Sequence, residues 1–292
     1  MAFSKSLQHL LRENEPLAAY SWLKIGGPAR YFAEPGTLEE LQQLLAEAQK
    51  LSLPVRLLGG GSNILIREAG VDGLVVSLAA AKLSDIKING PRMLAGGGAK
   101  LNHVISAGAA AGLAGLEHLA GIPGTLGGAV ASNAGVTNDD IGSRVTRVKV
   151  VDRQGKAVER TRESLQFGFR RSNLDDVVIV EVELALEKLD PLEVTRRMQA
   201  NWIVKRAAQP LGGLRTIQAF IEPDGTSLSE ALDAAGMKDV ADGEVALSPQ
   251  YPGFLTVSGQ ATSEQVLALM ERVAKAVEIR CGIQLQSQVK IW

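Results

Sequence analysis

Two glycine-rich stretches in the first half of the chain have the composition of an anion cradle. The first, Leu58-Gly59-Gly60-Gly61-Ser62-Asn63-Ile64, sits between two apolar segments. Consecutive glycines admit φ > 0 and let a ligand approach the main chain closely, so successive N–H groups can converge on one anion. Ser62 and Asn63 add side-chain donors at the same spot. A tight turn between two strands is the competing reading, because short glycine motifs also arise for that reason. The second stretch, from Leu119 to Ala129 and on to Asn133-Ala134-Gly135, weighs against the turn. It places Gly121, Gly124, Gly127 and Gly128 around Pro123 and Thr125, a sequence that is costly to order unless a ligand presses against it. Neither stretch fits G-x-G-x-x-G after a strand, so a Rossmann domain is not indicated.

Caps and periodicity give the elements that must position these loops. Thr37 with Glu40 forms a capping box, and Leu38, Leu41, Leu44, Leu45 and Ala48 recur at helical spacing. That helix ends near Leu51. Val55, Leu57 and Leu58 then make a short strand that empties into the first loop, and Leu74 to Leu78 reads as a second strand. A small-residue helix from Asn102 leads into the second loop. Arg144 to Val151 and Val177 to Leu186 alternate apolar and polar residues, as half-buried strands do. Asp190 caps a helix with Pro191 at its first position, running towards Ala208 and stopping before Pro210. Two more capped helices follow, one after Ser227 with Glu230, the other after Thr262 with Gln265 and closing at Gly282. A domain boundary is expected near residues 205–212. The irregular alternation of strands and helices indicates an α+β fold.

Composition narrows the function classes. With 46% hydrophobic and 22% charged residues and a net charge of -1, the chain has no basic run for nucleic acid or anionic membrane. The single Cys281 excludes an internal disulfide and fits a reducing cytoplasm. His9, His103 and His118 are scattered, so no metal site is expected. The N-terminal stretch lacks the apolar core of a secretory signal. The most apolar run, Ser106 to Ala131, is interrupted by Glu117, His118 and glycines, unlike a membrane span.

Three motifs together carry a resemblance: Lys24-Ile25-Gly26-Gly27-Pro28-Ala29, the Leu-Gly-Gly-Gly-Ser-Asn loop, and the Ala-Gly-Ile-Pro-Gly-Thr stretch with its Asn133-Ala134-Gly135. In order and spacing, over nearly the whole chain, the sequence resembles the UDP-N-acetylenolpyruvoylglucosamine reductase family. Without an inserted tyrosine loop it is similar to that family's shorter branch. The resemblance implies a two-lobed, PCMH-like FAD-binding domain over residues 1–206, with the flavin between its lobes. It also implies a smaller α+β substrate domain over residues 207–292. FAD as cofactor, NADPH as electron donor and a UDP-sugar substrate follow from it, as does reduction to UDP-N-acetylmuramate for peptidoglycan by a cytoplasmic monomer. Carried onto this sequence, Gly59, Gly60, Gly61, Ser62, Asn63, Gly121, Ile122, Gly124, Gly128 and Asn133 would bind FAD. Lys205 and Arg206 would meet the UDP diphosphate.

The three catalytic positions implied by the resemblance do not all match. Arg170, in Phe167-Gly168-Phe169-Arg170, matches the family arginine and is suited to clamp a carboxylate and the enolate-like charge that builds on it. The family's proton-donating serine precedes a Phe-Lys-Asn-Pro segment soon after Gln-Pro-Leu. Here Gln209-Pro210-Leu211 is followed by Gln218-Ala219-Phe220-Ile221-Glu222-Pro223, which puts Gln218 at the serine. The family's C-terminal glutamate falls on Gln288 in Leu285-Gln286-Ser287-Gln288-Val289, and Gly253 departs from the family's asparagine before Phe254. A carboxamide donates hydrogen bonds but is no general acid at neutral pH. Impaired turnover is therefore expected, with a catalytically silent FAD- or sugar-nucleotide-binding relative as the alternative.

Overall fold

The structure, a computed structural model, describes residues 3–136, 139–174, 177–210, 215–223 and 225–292. Leu211 and the adjoining end of the expected boundary region lie outside the described residues. The chain divides into two compact units, and compactness divides it differently from a single cut. One unit holds Met1–Asn14, Arg30–Gly60 and Asp72–Lys205; the other holds Glu15–Ala29, Gly61–Val71 and Arg206–Trp292.

The first unit is built around two sheets. Its helix α1, Leu38–Lys50, opens on the expected capping box, with Thr37 Oγ1 accepting the Glu40 N–H at 3.2 Å and the Glu40 carboxylate accepting the Thr37 N–H at 3.1 Å. Helical periodicity puts Leu41, Leu44, Leu45 and Ala48 on one buried stripe, which joins Leu74, Val76, Val178 and Val180 in a common cluster. Full burial of each such leucine contributes about 2 kcal/mol. The strand Val55–Leu58 pairs in parallel with Leu74 to Ser77 and delivers the first glycine loop at its C-terminal end.

The second sheet of this unit is antiparallel throughout, in the order Ala157–Thr161, Val145–Val151, Val178–Ala185, Arg92–Gly96, Ile86–Asn89. Helices α2, Leu101–Ala110, and α3, Leu126–Ala131, bury Val104, Ile105, Leu126 and Val130 in one cluster with Met93, Val148 and Val182 of this sheet. The second glycine loop lies between these helices. Helix α4, Pro191–Ala207, begins where Asp190 Oδ1 accepts the Leu192 N–H at 2.7 Å.

In the second unit a four-stranded antiparallel sheet, in the order Arg215–Gln218, Phe254–Val257, Val245–Leu247, Ala241–Asp242, packs with α5, Leu228–Ala234, and α6, Ser263–Cys281. Both helices carry complete capping boxes, and α6 ends on Gly282 at φ 69°. Leu23, Ile25 and Leu65 are buried in the same core as Phe220, Leu255 and Leu269, which is why the early segments belong to this unit. The chain end seals them in: Lys290–Ile291 pairs in parallel with Ile64–Leu65, and the Arg67 N–H donates to the Trp292 carbonyl at 3.0 Å. Among the described residues no helix is long and apolar enough to cross a membrane.

Candidate functional site

The two glycine loops meet within the first unit. A Cβ placed on Gly60 would stand 2.6 Å from the Gly124 Cα, and one on Gly59 would stand 3.0 Å from the Thr125 hydroxyl oxygen. Gly121 and Gly124 have φ of 89° and 120°, a region that favours glycine. None of the hydrogen bonds among the described residues uses the amide N–H of Gly59, Gly60, Gly121 or Gly124. The neighbouring amides are engaged: Ile122 donates to Leu119 O, Leu126 to Ala99 O, and Gly127 to Gly97 O. The Gly128 N–H is held by its own helix cap, Thr125 Oγ1, at 3.3 Å. The unengaged donors therefore lie in the two loops rather than on the first turn of α3. Unengaged amides in adjacent loops can form a nest for an anion, and the close contact at Gly60 leaves no room for a side chain there.

Two of the expected contact residues also make hydrogen bonds within the protein. Asn133 is buried, and its carboxamide is fully engaged: Nδ2 donates to Asp140 Oδ2 and to Gly168 O, each at 2.9 Å, while Oδ1 accepts the Gly142 N–H at 3.0 Å. It ties together three segments, one of which is the hairpin that carries Arg170. Asn63, in the second unit, donates its Nδ2 to the Gln288 carbonyl at 2.9 Å. Gly61 to Asn63 belong to that unit, whereas Gly59 and Gly60 belong to the first.

Arg170 sits in the two-residue turn of the hairpin Phe167–Gly168/Arg171–Ser172 with φ 56°. A non-glycine residue there is strained by about 1–3 kcal/mol, and the Asn133 bond to Gly168 braces it. Its Nε is buried without a partner. Burial lowers the guanidinium pKa, and Lys205 is lowered by burial first and by the Arg170 charge second. Among the described residues no carboxylate acts on either cation. The Lys205 stem lies against Gly121, its Cβ 3.2 Å from where a Gly121 Cβ would stand. Two desolvated cations with no counter-ion among the described residues, beside a loop of unengaged amides, suit an anion.

In the second unit the two glutamines at the departing positions bond to each other. Gln288 Nε2 donates to Gln218 Oε1 at 3.0 Å, across 70 residues of sequence. Their backbones are held by flanking pairs: Ile221 N–H to Gln286 O at 3.0 Å, and an antiparallel bridge between Phe220 and Ser287. Glu222 caps α5, accepting the Leu228 N–H at 2.8 Å. Gly253 has φ 81° with its Cα packed so closely that a Cβ would stand 2.7 Å from Leu228. Each departure from the family pattern at these positions thus has a local physical role. Arg206 is the first residue of this unit's C-terminal segment.

Sequence reasoning also missed a polar cluster around His118, in which Glu117 is buried and Asp139 and Arg144 face the imidazole. The only signal for it was a histidine and a glutamate inside the apolar run that precedes the second loop.

Comparison with known proteins identifies the family. The FAD binding domain family matches residues 29–161, and the UDP-N-acetylenolpyruvoylglucosamine reductase C-terminal domain family matches residues 210–292. The UDP-N-acetylenolpyruvoylglucosamine reductase of Rhodopirellula baltica is 40% identical over 99% of this chain and 95% of its own length. That of Heliobacterium modesticaldum is 35% identical over 96% and 90% respectively. Among solved structures, the UDP-N-acetylenolpyruvylglucosamine reductase of Thermus caldophilus superposes with a TM-score of 0.82 at 31% identity, covering 97% of this chain and 99% of that one. A 6-hydroxy-D-nicotine oxidase from Arthrobacter nicotinovorans, at 12% identity and a TM-score of 0.56, is similar in fold alone.

Proposed function

This chain belongs to the UDP-N-acetylenolpyruvoylglucosamine reductase family, and from that premise we propose that it reduces UDP-N-acetylenolpyruvoylglucosamine with NADPH, using FAD. The product would be UDP-N-acetylmuramate, a peptidoglycan precursor, and the enzyme would act as a cytoplasmic monomer without nucleic-acid or membrane partners. One observation supports the cofactor assignment most directly. The loops around Gly60 and Gly124 touch, among the described residues the amides of Gly59, Gly60, Gly121 and Gly124 have no protein acceptor, and a pyrophosphate fits such donors.

The hydride chemistry belongs to the bound flavin. The chain's own residues bind, orient and manage charge. Gly59, Gly60, Gly121 and Gly124 would hold the FAD pyrophosphate through their N–H groups. Gly61, Ser62, Ile122 and Gly128 would shape the cradle, while Asn133 braces the Arg170 hairpin. Arg170 would clamp the enolpyruvyl carboxylate and stabilise charge delocalised onto it as the C=C bond is reduced. Lys205, and Arg206 beside it in sequence, would meet the diphosphate. Gln218 and Gln288, bonded to each other, would orient the substrate without supplying a proton.

Gly60→Val is expected to abolish FAD retention, because a Cβ pressed on Gly124 must part the loops and scatter their donors. Calorimetric titration of the stripped protein with FAD measures this, and unchanged affinity would remove the cradle from the assignment. The reading as a whole is tested by NADPH oxidation in the presence of the enolpyruvyl nucleotide. No nucleotide-dependent oxidation by the FAD-loaded protein would overturn it.

A further inference from the structure

The turn that presents Arg170 at φ 56° is anchored from outside the hairpin. Asn133 Nδ2 donates to the carbonyl of Gly168, the residue before the turn, at 2.9 Å. Ser172 Oγ donates to Ala131 O at 2.8 Å. Phe167 packs so closely on Gly142 that a Cβ there would stand 2.4 Å from a carbon of its ring. A strained residue keeps its conformation only where its surroundings over-determine it. Of these anchors only the first acts on a residue that borders the two-residue turn.

A second side chain sets the direction of that bond. A carboxamide carries donors on one side and an acceptor on the other, and turning it over exchanges them. Asp140 Oδ2 accepts from Asn133 Nδ2 at 2.9 Å, while the Gly142 N–H donates to Asn133 Oδ1 at 3.0 Å. A carboxylate only accepts. Turned over, the Asn133 carboxamide would therefore set its oxygen against both Asp140 and the Gly168 carbonyl, inside a pocket where Asn133 is 3% exposed. Asp140 is itself fixed. Its Oδ1 accepts the Ser143 N–H at 3.0 Å, capping the single turn Ile141–Ser143, and its Cα lies 2.5 Å from where a Gly135 Cβ would stand. We propose that Asp140 and Asn133 are a positioning pair for Arg170: the carboxylate selects the carboxamide orientation that holds Gly168, and this keeps the guanidinium where the substrate carboxylate is received. The proposal rests on the reading that Arg170 meets that carboxylate, and the pair acts on the substrate through Arg170.

Swapping the two residues isolates the bond to the turn. In the double variant Asn133→Asp/Asp140→Asn, the new amide at position 140 donates to the new carboxylate at position 133, which still accepts the Gly142 N–H. The oxygen at position 140 still caps Ser143. Only the donor to Gly168 is lost, and an acceptor faces that carbonyl instead. Asn133→Asp alone sets carboxylate against carboxylate and should melt well below wild type, whereas the swapped protein should recover most of that loss and keep its FAD affinity. Hydrogen exchange over residues 167–172 should nevertheless be faster in the swapped protein than in wild type. Calorimetry of its FAD-loaded form should find the enolpyruvyl nucleotide bound about tenfold more weakly, the equivalent of one hydrogen bond. If the swapped protein does not fold, Asp140→Ala keeps Asn133 but frees its carboxamide to turn, and should move both readouts in the same direction by less. Wild-type hydrogen exchange over the hairpin, or wild-type nucleotide affinity, in the folded variant would overturn the proposal and leave the pair a merely structural one. Faster exchange in the hairpin, in a protein whose wild type ignores the nucleotide, would uphold the hold on Arg170 and overturn the functional reading instead.

Discussion

Arg170→Ala is expected to weaken binding of the enolpyruvyl nucleotide by about 30- to 5,000-fold, the equivalent of roughly 2–5 kcal/mol for removing one side of a desolvated charge pair. Affinity for FAD should stay within a few-fold of wild type, since the four unengaged amides belong to other residues. The expectation comes from the environment of the guanidinium. It is buried at Nε without a partner, strained at φ 56°, and, among the described residues, faced by a second cation rather than a carboxylate. Among the described residues the guanidinium is met only by the Phe169 ring, its carbon 5.9 Å from the ring centroid, so a bound anion would add the larger stabilisation. The same reasoning gives the ligand-free protein a distinctive pH response. Lys205 has a folded pKa below its unfolded value, so the unfolded chain binds more protons in the interval up to the ordinary 10.5. Stability contributed through Lys205 therefore rises as pH rises through that interval, and the ligand-free Lys205→Met protein should lack this rise. Isothermal calorimetry with the nucleotide decides the main point: equal affinity in wild type and Arg170→Ala would make Arg170 ordinary surface.

Local signals were readable in the sequence, and distant ones were not. The capping boxes at Thr37, Ser227 and Thr262 and the Gly282 stop are all present, because a cap is an interaction within four residues. The hairpin Ile86–Asn89/Arg92–Gly96 went unread although its two-residue turn, Gly90-Pro91, has glycine at the first central position, with φ 58°. The sheet between Arg215 and Val257 was missed for a physical reason: its strands are two to four residues long, too short for alternation to register. Recruitment of Glu15–Ala29 and Gly61–Val71 into the C-terminal unit depends on burial of Leu23, Ile25 and Leu65 in its core, which no local pattern encodes. At the site the glycines were legible as backbone positions. The hydrogen bonds that Asn133 and Asn63 make within the protein were not legible, because their partner carbonyls lie 35 and 225 residues away.

The glutamine pair gives the largest expected gain. Gln218 and Gln288 are bonded to each other, and a carboxamide cannot give up a proton at neutral pH. Reduction of the enolpyruvyl C=C bond needs a proton at the carbon beside the one that receives hydride, so loss of a positioned acid costs about 100- to 10,000-fold. Gln218→Ser with Gln288→Glu restores the hydroxyl and carboxyl groups implied by the family pattern and should recover part of that factor in NADPH-dependent turnover. The two substitutions are in contact, so their effects should not add. Gln288→Glu alone can be accommodated if the Gln218 amide turns to donate to the new carboxylate, whereas Gln218→Ser alone withdraws the acceptor of the Gln288 Nε2. The double variant should therefore exceed the product of the single effects. Recovery should remain incomplete, because Glu222 is committed to the α5 cap and Gly253 to a positive φ, and neither can serve the substrate as the family's residues do. Steady-state rates of the four proteins at one pH decide the matter. A double variant no faster than wild type would show that the proton does not pass through these positions.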